Sequence, residues 1–327
     1  MSSYWKISAG TASVLGKKHV KSDAQPTTAY LMLGEHCHHN CCFCAQARDS
    51  AAKNSLLSRI TWPECPAEAA TDGIAAAYEQ GRLKRACLQV MTSSANLAQT
   101  FSAVKQIHAA SDVPICVASE LDTIEQAASL FSAGSEKICI ALDAATAELH
   151  RETKGGSWEE KWQLLASCAQ AFPGRVATHL IVGLGETEQE LVTTLAACLN
   201  QKITVGLFAF TPIKGTAWGE RLAPDIGRYR RIQIAHYLLK NGYSLDQIIF
   251  DQGHIIGFNC DSLAKLIADG QAFETSGCPD CNRPYYNERP GGILFNYPRP
   301  LTRQECQIAM AESGVVSEGY HDELAIY

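Results

Sequence analysis

The stretch TTAYLMLGEHCHHNCCFCAQ, residues 27–46, sets an apolar run beside four cysteines within eight residues, Cys37, Cys41, Cys42 and Cys44. Its first part, 27–33, has the length and the apolar content of a buried strand. The cysteines begin four residues later and so fall on the connection after that strand. Five further strand-like runs follow: RACLQVM (85–91), VPICVAS (113–119), KICIAL (137–142), VATHLIVGL (176–184) and VGLFAF (205–210). Helical periodicity follows most of them, over 66–80, 96–110, 122–133, 157–172, 187–200 and 224–241. Three of these helices open on capping boxes, Asp122/Glu125, Ser157/Glu160 and Thr187/Glu190. Six strand–helix units in a row predict an α/β fold with parallel strands and right-handed crossovers, either a barrel or a doubly wound sheet. In both, function gathers at the C-terminal ends of the strands, where the cysteine loop would sit.

At 327 residues and 46% hydrophobic content the chain can bury a continuous core. Its net charge of −6 gives no electrostatic case for nucleic acid or an anionic membrane. No apolar run approaches ~20 residues, and MSSYWKISAG lacks a basic-then-apolar signal layout, so a soluble cytoplasmic protein is expected. Fourteen cysteines in a short secreted chain would suggest a disulfide scaffold, but this chain is neither short nor evidently exported. Cys139 and Cys198 sit in apolar runs and read as small buried hydrophobes. The cysteines in polar, Pro- and Asn-rich contexts call for metal. After about residue 245 the chain becomes rich in Pro, Gly, Asn and Tyr, most of all in SGCPDCNRPYYNERPGG (276–292), which reads as an irregular segment. The expected organisation is an N-terminal extension (1–26), a barrel (27–245) and a C-terminal extension (246–327) ending in a helix near 302–313.

Cys37, Cys41 and Cys44 form C-x3-C-x2-C, with Phe43 just before the third cysteine. Zinc sites usually draw four ligands from two close pairs. Three cysteines on one loop suit a [4Fe–4S] cluster with three irons held and the fourth open. A zinc alternative would join Cys41/Cys44 to Cys278/Cys281, both C-x2-C, but it leaves Cys37 idle. Cys42 lies outside the motif and reads as a packed or solvent-facing thiol. Spacing, aromatic and position after the first strand together resemble the radical S-adenosylmethionine (SAM) superfamily, whose fold is a partial or full parallel (β/α) barrel. In that family SAM chelates the open iron through its methionine group. One-electron cleavage then yields a 5′-deoxyadenosyl radical that takes hydrogen from an unactivated carbon, so no protein side chain is expected to be the catalytic group.

Later segments resemble the biotin synthase and lipoyl synthase branch. VATHLIVGLGETEQEL (176–191) matches its fifth-strand signature, which implies that Ile181 and Gly183 flank the adenine, and FTPIKGT (210–216) resembles the sixth-strand end that closes over SAM. GLGETE is no dinucleotide fingerprint, because its third glycine is missing. By the same resemblance, Phe43 belongs to the cofactor-binding set and Asp143, ending the fourth strand, holds the SAM ribose. Arg151 in the next loop is a candidate partner for the SAM carboxylate. Thr92, Ser93 and Ser94 end the second strand and are candidates for the methionine amine, and Glu120 ends the third.

Biotin synthases hold a second cluster inside the barrel with cysteines from strands two, three and five and a late-strand arginine. Cys87 and Cys116 stand at the first two positions, but the third is Ala177 and no counterpart of the arginine is evident. Cys278 and Cys281 are therefore the expected second metal pair, with Cys260 and Cys306 as possible additions. The C-terminal segment is most similar to the biotin-synthase-like components of two-component lipoyl synthases. This implies a sister radical SAM protein, an octanoylated lysine of a carrier protein or peptide as substrate, a second iron–sulfur cluster as sulfur donor, and an electron donor such as ferredoxin or flavodoxin. Arg283 and Arg289 are weaker candidates for shaping a substrate-protein groove. The alternatives are biotin-type sulfur insertion, another radical SAM reaction, or a non-catalytic zinc-binding protein.

Overall fold

In a computed structural model, residues 4–316 are described apart from 21, 23, 36, 94, 95 and 290. Six parallel strands carry the architecture: β2 (Thr28–Leu33), β6 (Arg85–Val90), β7 (Ile115–Ala118), β8 (Lys137–Cys139), β9 (Val176–Val182) and β10 (Thr204–Ala209). They lie side by side in sequence order, each beside the next. A doubly wound sheet reverses its strand order at a switch point. The monotonic order therefore decides for barrel-type winding.

The intervening helices are α2 (Ala67–Glu79), α3 (Asn96–Ala110), α4 (Ile124–Ser132), α6 (Trp158–Ala171), α7 (Glu188–Asn200) and α8 (Ile226–Lys240). The pleat gives each strand two faces. One carries Ala86, Leu88, Ile115, Val117, Leu180, Val182, Val205 and Leu207 into the main hydrophobic core. The other turns Tyr30, Cys87, Gln89, Cys116, Ala118, Cys139, Ala177, His179, Ile181, Gly206 and Phe208 into one cavity of about 550 Å³. Residues from all six strands line a single space, which is how an incomplete barrel encloses its lumen.

Several elements lie outside the sequence expectation. Within the N-terminal extension, β1 (Tyr4–Ile7) joins the sheet antiparallel to β2, and β5 (Glu64–Pro66) pairs antiparallel with β1. α1 (Ala9–Val14) follows β1, and a hairpin of β3 (Leu56–Leu57) and β4 (Ile60–Thr61) follows the cysteine loop. α5 (Ala147–Thr153) fills the connection after β8. The C-terminal region contains a hairpin, β11 (Ile248–Asp251) with β12 (His254–Phe258), a short α9 (Leu263–Leu266), and α10 (Arg303–Ser313). Thr187/Glu190 forms a full capping box and Ser157 caps α6, but α4 is capped by Thr123 rather than Asp122.

A second core joins α8 and α10 through Ile234, Leu238, Phe273, Tyr297, Ala309 and Met310. Arg230, buried in α8, anchors the C-terminal segment by donating to Leu294 O at 2.6 Å and Phe295 O at 2.8 Å, and it pairs with Glu312. Cys306 belongs to this core, its thiol directed at Ile267 O, Ala268 O and Met310 Sδ, which removes it as a cluster ligand. Among the described residues no helix is long and apolar enough to cross a membrane.

Candidate functional site

The cysteine loop is fastened to the C-terminal ends of several strands by its own backbone. His38 N donates to Thr92 O beyond β6 and Cys42 N to Thr153 O at the end of α5, each at 2.8 Å. Trp218 N donates to Cys42 O at 3.0 Å and Ala51 N to Gly215 O at 2.8 Å, so the segment after β10 closes over the loop. Gly215 is required there: its φ is 94°, and a Cβ would stand 2.6 Å from Ala52 N. Cys37 stands close enough to Cys41 and Cys44 to raise both thiols. Burial pushes Cys41 up to about 12 and Cys44 up to about 11, with the neighbouring thiols adding. Such thiols stay protonated unless a metal displaces the proton. Phe43 and Cys44 line the cavity.

Charged groups gather beside this loop. Asp143, at φ 62°, accepts from Lys154 Nζ at 2.7 Å, and the same ammonium donates to Ala141 O at 2.7 Å. Burial works against the Asp143 carboxylate, but Lys154, His179 and Lys161 more than offset it and hold its carboxyl below the usual range. Glu120 pairs with Lys161 and stands 3.8 Å from His39 Nε2; burial opposes its ionisation, and Lys161 with Lys154 lowers it on balance. Arg151 is exposed on α5 and does not line the cavity, so the nearby cation is Lys154, three residues along the chain. That position was not legible without α5, whose turn decides which side chain faces inward.

Ile181 lines the cavity, whereas Gly183 packs against Pro224. The amides of Gly183, Leu184 and Gly185 all donate to the Glu186 carboxylate, at 2.8, 2.9 and 3.1 Å, and Arg228 pairs with that carboxylate at 2.7 Å. The GLGE turn is thus satisfied from within. Ser93 is half-buried and lies off the cavity wall, and Ser94 lies outside the described residues.

The other end of the cavity holds a second group of thiols. Cys87 and Cys116 are direct cross-strand partners near the starts of β6 and β7. The C-terminal segment runs beneath those strand starts. Thr27 and Thr28 donate to Asp280 O, Arg85 Nε donates to Pro279 O at 3.0 Å, and Leu207 N donates to Ser276 Oγ at 2.8 Å. This brings Cys278 to Cys116, whose Sγ donates to it at 3.5 Å. Cys281 lies 3.4 Å from Tyr30 Oη and shares an apolar cluster with Cys87. Cys139, expected only as a buried hydrophobe, also faces the cavity and senses Cys278 and Cys87. Burial raises Cys87, Cys139 and Cys281. Cys278 is lowered, first by the Cys116 hydrogen bond and then by Lys137, Arg85 and Arg283.

Those cations are the informative part. Lys137 is buried, donates to Thr204 Oγ1 at 2.9 Å and has no carboxylate partner among the described residues. Arg283, at φ 35°, donates to Leu207 O and Ser276 O and lies over the Phe208 ring. Arg85 bonds Cys116 Sγ at 3.2 Å and pairs with Glu136. Arg85 is thus neutralised by Glu136, but buried Lys137 and half-buried Arg283 face thiols with no carboxylate partner among the described residues. That is costly unless an anion occupies the space between them. A cluster held by thiolates is such an anion. Cys260, at the end of the β11–β12 hairpin, is not on the cavity wall and senses no other thiol, so it does not join this group.

Cys41/Cys44 follow the end of β2, and Cys278/Cys281 lie under the strand starts, roughly 20 Å of strand away, too far to share one zinc ion. Among the described residues no three Cys, His, Asp or Glu side chains are arranged to hold a single metal ion. Thiolates on a [4Fe–4S] cube stand instead on separate corners.

The model of the radical SAM superfamily matches residues 31–198. A biotin synthase of Parabacteroides distasonis is 26% identical over 187 residues, covering 55% of this chain and 54% of that enzyme. Two solved structures share the fold: the FeFe-hydrogenase maturase HydG of Carboxydothermus hydrogenoformans, at 16% identity and TM-score 0.53 over 66% of this chain and 52% of that one, and methylornithine synthase (PylB), at 13% and 0.52 over 65% and 62%. This chain therefore spans about half the length of the curated relative it matches. The matched span begins inside β2, takes in the whole cysteine loop and ends in α7. The chain belongs to the radical SAM superfamily.

Proposed function

We propose that this protein inserts sulfur at unactivated C–H bonds, its substrate an octanoyl-lysine of a carrier protein or peptide and its partner a sister radical SAM protein. The observation that carries the reading is that two separate thiol groups meet one apolar cavity, the Cys37/Cys41/Cys44 loop through Cys44 and the floor group through Cys87, Cys116, Cys278 and Cys281. When bound, a [4Fe–4S] cluster with SAM at the first group supplies hydrogen abstraction from carbon, and a second cluster supplies sulfide.

The chain's own residues do the rest. Asp143, fixed by Lys154, and Glu120, fixed by Lys161, offer oriented carboxylates to a polar cofactor beside the cysteine loop. Ile181, Phe208, Trp62, Leu57 and Tyr286 form apolar walls that accept an alkyl chain and exclude water. A volume of about 550 Å³ lies within the usual range for small-molecule sites. Lys137, Arg85 and Arg283 balance negative charge at the floor.

Biotin-type insertion is the second reading, favoured by the biotin synthase relative and by the arginines beside the floor thiols. Ala177, where that branch uses a cysteine, counts against it. The test is anaerobic turnover of an octanoyl-lysine peptide and of dethiobiotin, with iron and sulfide counted alongside. About eight irons per chain and sulfur in the peptide support the proposal. Sulfur in dethiobiotin alone moves the assignment to the second reading, and about four irons with no sulfur in either product rejects both.

A further inference from the structure

Two arginines at the rim of the cavity sit beside each other's charge. Arg59 lies in the β3–β4 turn, where Ser58 takes φ 51° and its Oγ donates to Tyr286 O at 2.6 Å. That bond ties the hairpin to the C-terminal loop three residues before Arg289. Both arginines line the cavity and both reach solvent, Arg59 half-buried and Arg289 exposed. Among the described residues neither guanidinium has a hydrogen-bond or ion-pair partner. Burial, followed by the charge of Arg289, holds the Arg59 guanidinium below its ordinary value.

The neighbouring acid, Glu288, favours the Arg59 charge only through space and bonds neither guanidinium. Glu288 is turned inward, accepting from Asn287 N at 3.1 Å and Asn296 N at 3.0 Å, and is 5% exposed. Immediately below the arginines the wall is apolar, formed by Leu57, Ile60, Trp62, Phe208 and Tyr286. A bound molecule therefore meets two cations at the mouth and hydrocarbon beneath.

We propose that Arg59 and Arg289 form an anion clamp at the cavity mouth, taking a carboxylate carried at the outer end of an apolar chain. Two unpaired guanidiniums suit this group, because each can donate a fork of N–H bonds to its oxygens. The inference stands on the cavity and does not need the sulfur-insertion reading. The carboxylate has two possible sources, the substrate's own acid or an acidic residue flanking an acylated lysine in a peptide.

Isothermal titration calorimetry on the full chain, purified anaerobically, separates them. The probes are octanoate against octanamide, and octanoyl-lysine peptides with Glu neighbours against the same peptides with Gln neighbours. The wild type should bind the anionic member of one pair about tenfold more tightly, the effect of one charge-assisted contact. Arg59→Gln and Arg289→Gln should each lower that preference, and the double variant should abolish it while leaving the neutral member's affinity unchanged. Arg48→Gln, which removes an exposed arginine paired with Asp49, should leave it intact. A preference within the octanoate pair assigns the substrate's own acid, and one within the peptide pair assigns the flanking residue. Equal affinity within both pairs, a preference surviving the double variant, or binding of none of the probes would overturn the proposal. Octanoyl-lysine peptide and dethiobiotin that both stay unreacted in the turnover assay while the charge preference holds remove the sulfur-insertion reading and leave this one standing.

Discussion

The two ends of the cavity handle charge in opposite ways. Beside the cysteine loop each buried cation meets a carboxylate, Lys154 with Asp143 and Lys161 with Glu120. At the floor only Arg85 is so paired, with Glu136, while Lys137 meets a threonine hydroxyl and Arg283 meets two backbone carbonyls. Ion pairs that already balance leave a site close to neutral, fit for a zwitterionic cofactor. Buried cations without carboxylates await a negative guest. The difference teaches that the ends were built for different occupants, although both present thiols.

Substitutions should break this contrast in a graded series. Cys41→Ala should abolish SAM cleavage and remove about four irons from a fully loaded chain, read by iron analysis and 5′-deoxyadenosine release. Cys116→Ala should remove a similar number of irons from the floor while SAM cleavage persists, which uncouples the two ends. Equal loss of SAM cleavage in both variants would defeat the distinction. Lys154→Met leaves Asp143 buried and unpaired, so chemical denaturation should show a loss of about 3–5 kcal/mol, with a raised KM for SAM. Lys137→Met should shift the midpoint potential of the floor cluster to more negative values, because a cation beside a cluster favours its reduced form. The loop cluster should keep its potential.

A smaller effect lies away from both ends and serves as their reference. Burial, aided by Lys240, depresses His236 on α8 from 6.5 to about 4. The unfolded chain binds this proton at a higher pH than the folded one. The stability is therefore complete above about pH 6.5 and is lost as pH falls through the range down to about 4, by about 3 kcal/mol. Thermal melts of His236→Gln across that range should show a flatter pH dependence than wild type, with iron content at both ends unchanged.

The barrel and its loop end were legible because their signals are local. Strand runs and helix periodicity repeat within tens of residues, and Cys37, Cys41 and Cys44 announce themselves by spacing. The floor has no such signal, since Cys116 and Cys278 are separated by 162 positions and meet only through the path of the C-terminal segment. Cys139 was hidden by its apolar neighbours, although its place on the pleat, between Ala118 and Ala177 and two residues beyond Lys137 in the Cys87–Cys116 row, marks it as inward-facing. Arg151 was preferred to Lys154 because α5 could not be foreseen, and a short helix rotates each successive side chain by about 100°. Cys260 and Cys306 were weighed by proximity in sequence, which a hairpin and a second core then separated from the site.

The crossing of the C-terminal segment beneath the strands also sets an order in time. During synthesis all six parallel strands are complete by Ala209, and the loop carrying Cys37, Cys41 and Cys44 gains its last backbone fasteners at Gly215 and Trp218. The chain is at that point a tube without a floor, with Cys87 and Cys116 facing its open end. Only after residues 276–289 have emerged and been anchored by Arg230 and α10 do Cys278 and Cys281 arrive beneath the tube. On the proposed reading, a cluster that uses all four floor thiols is therefore assembled only after the six strands have been made.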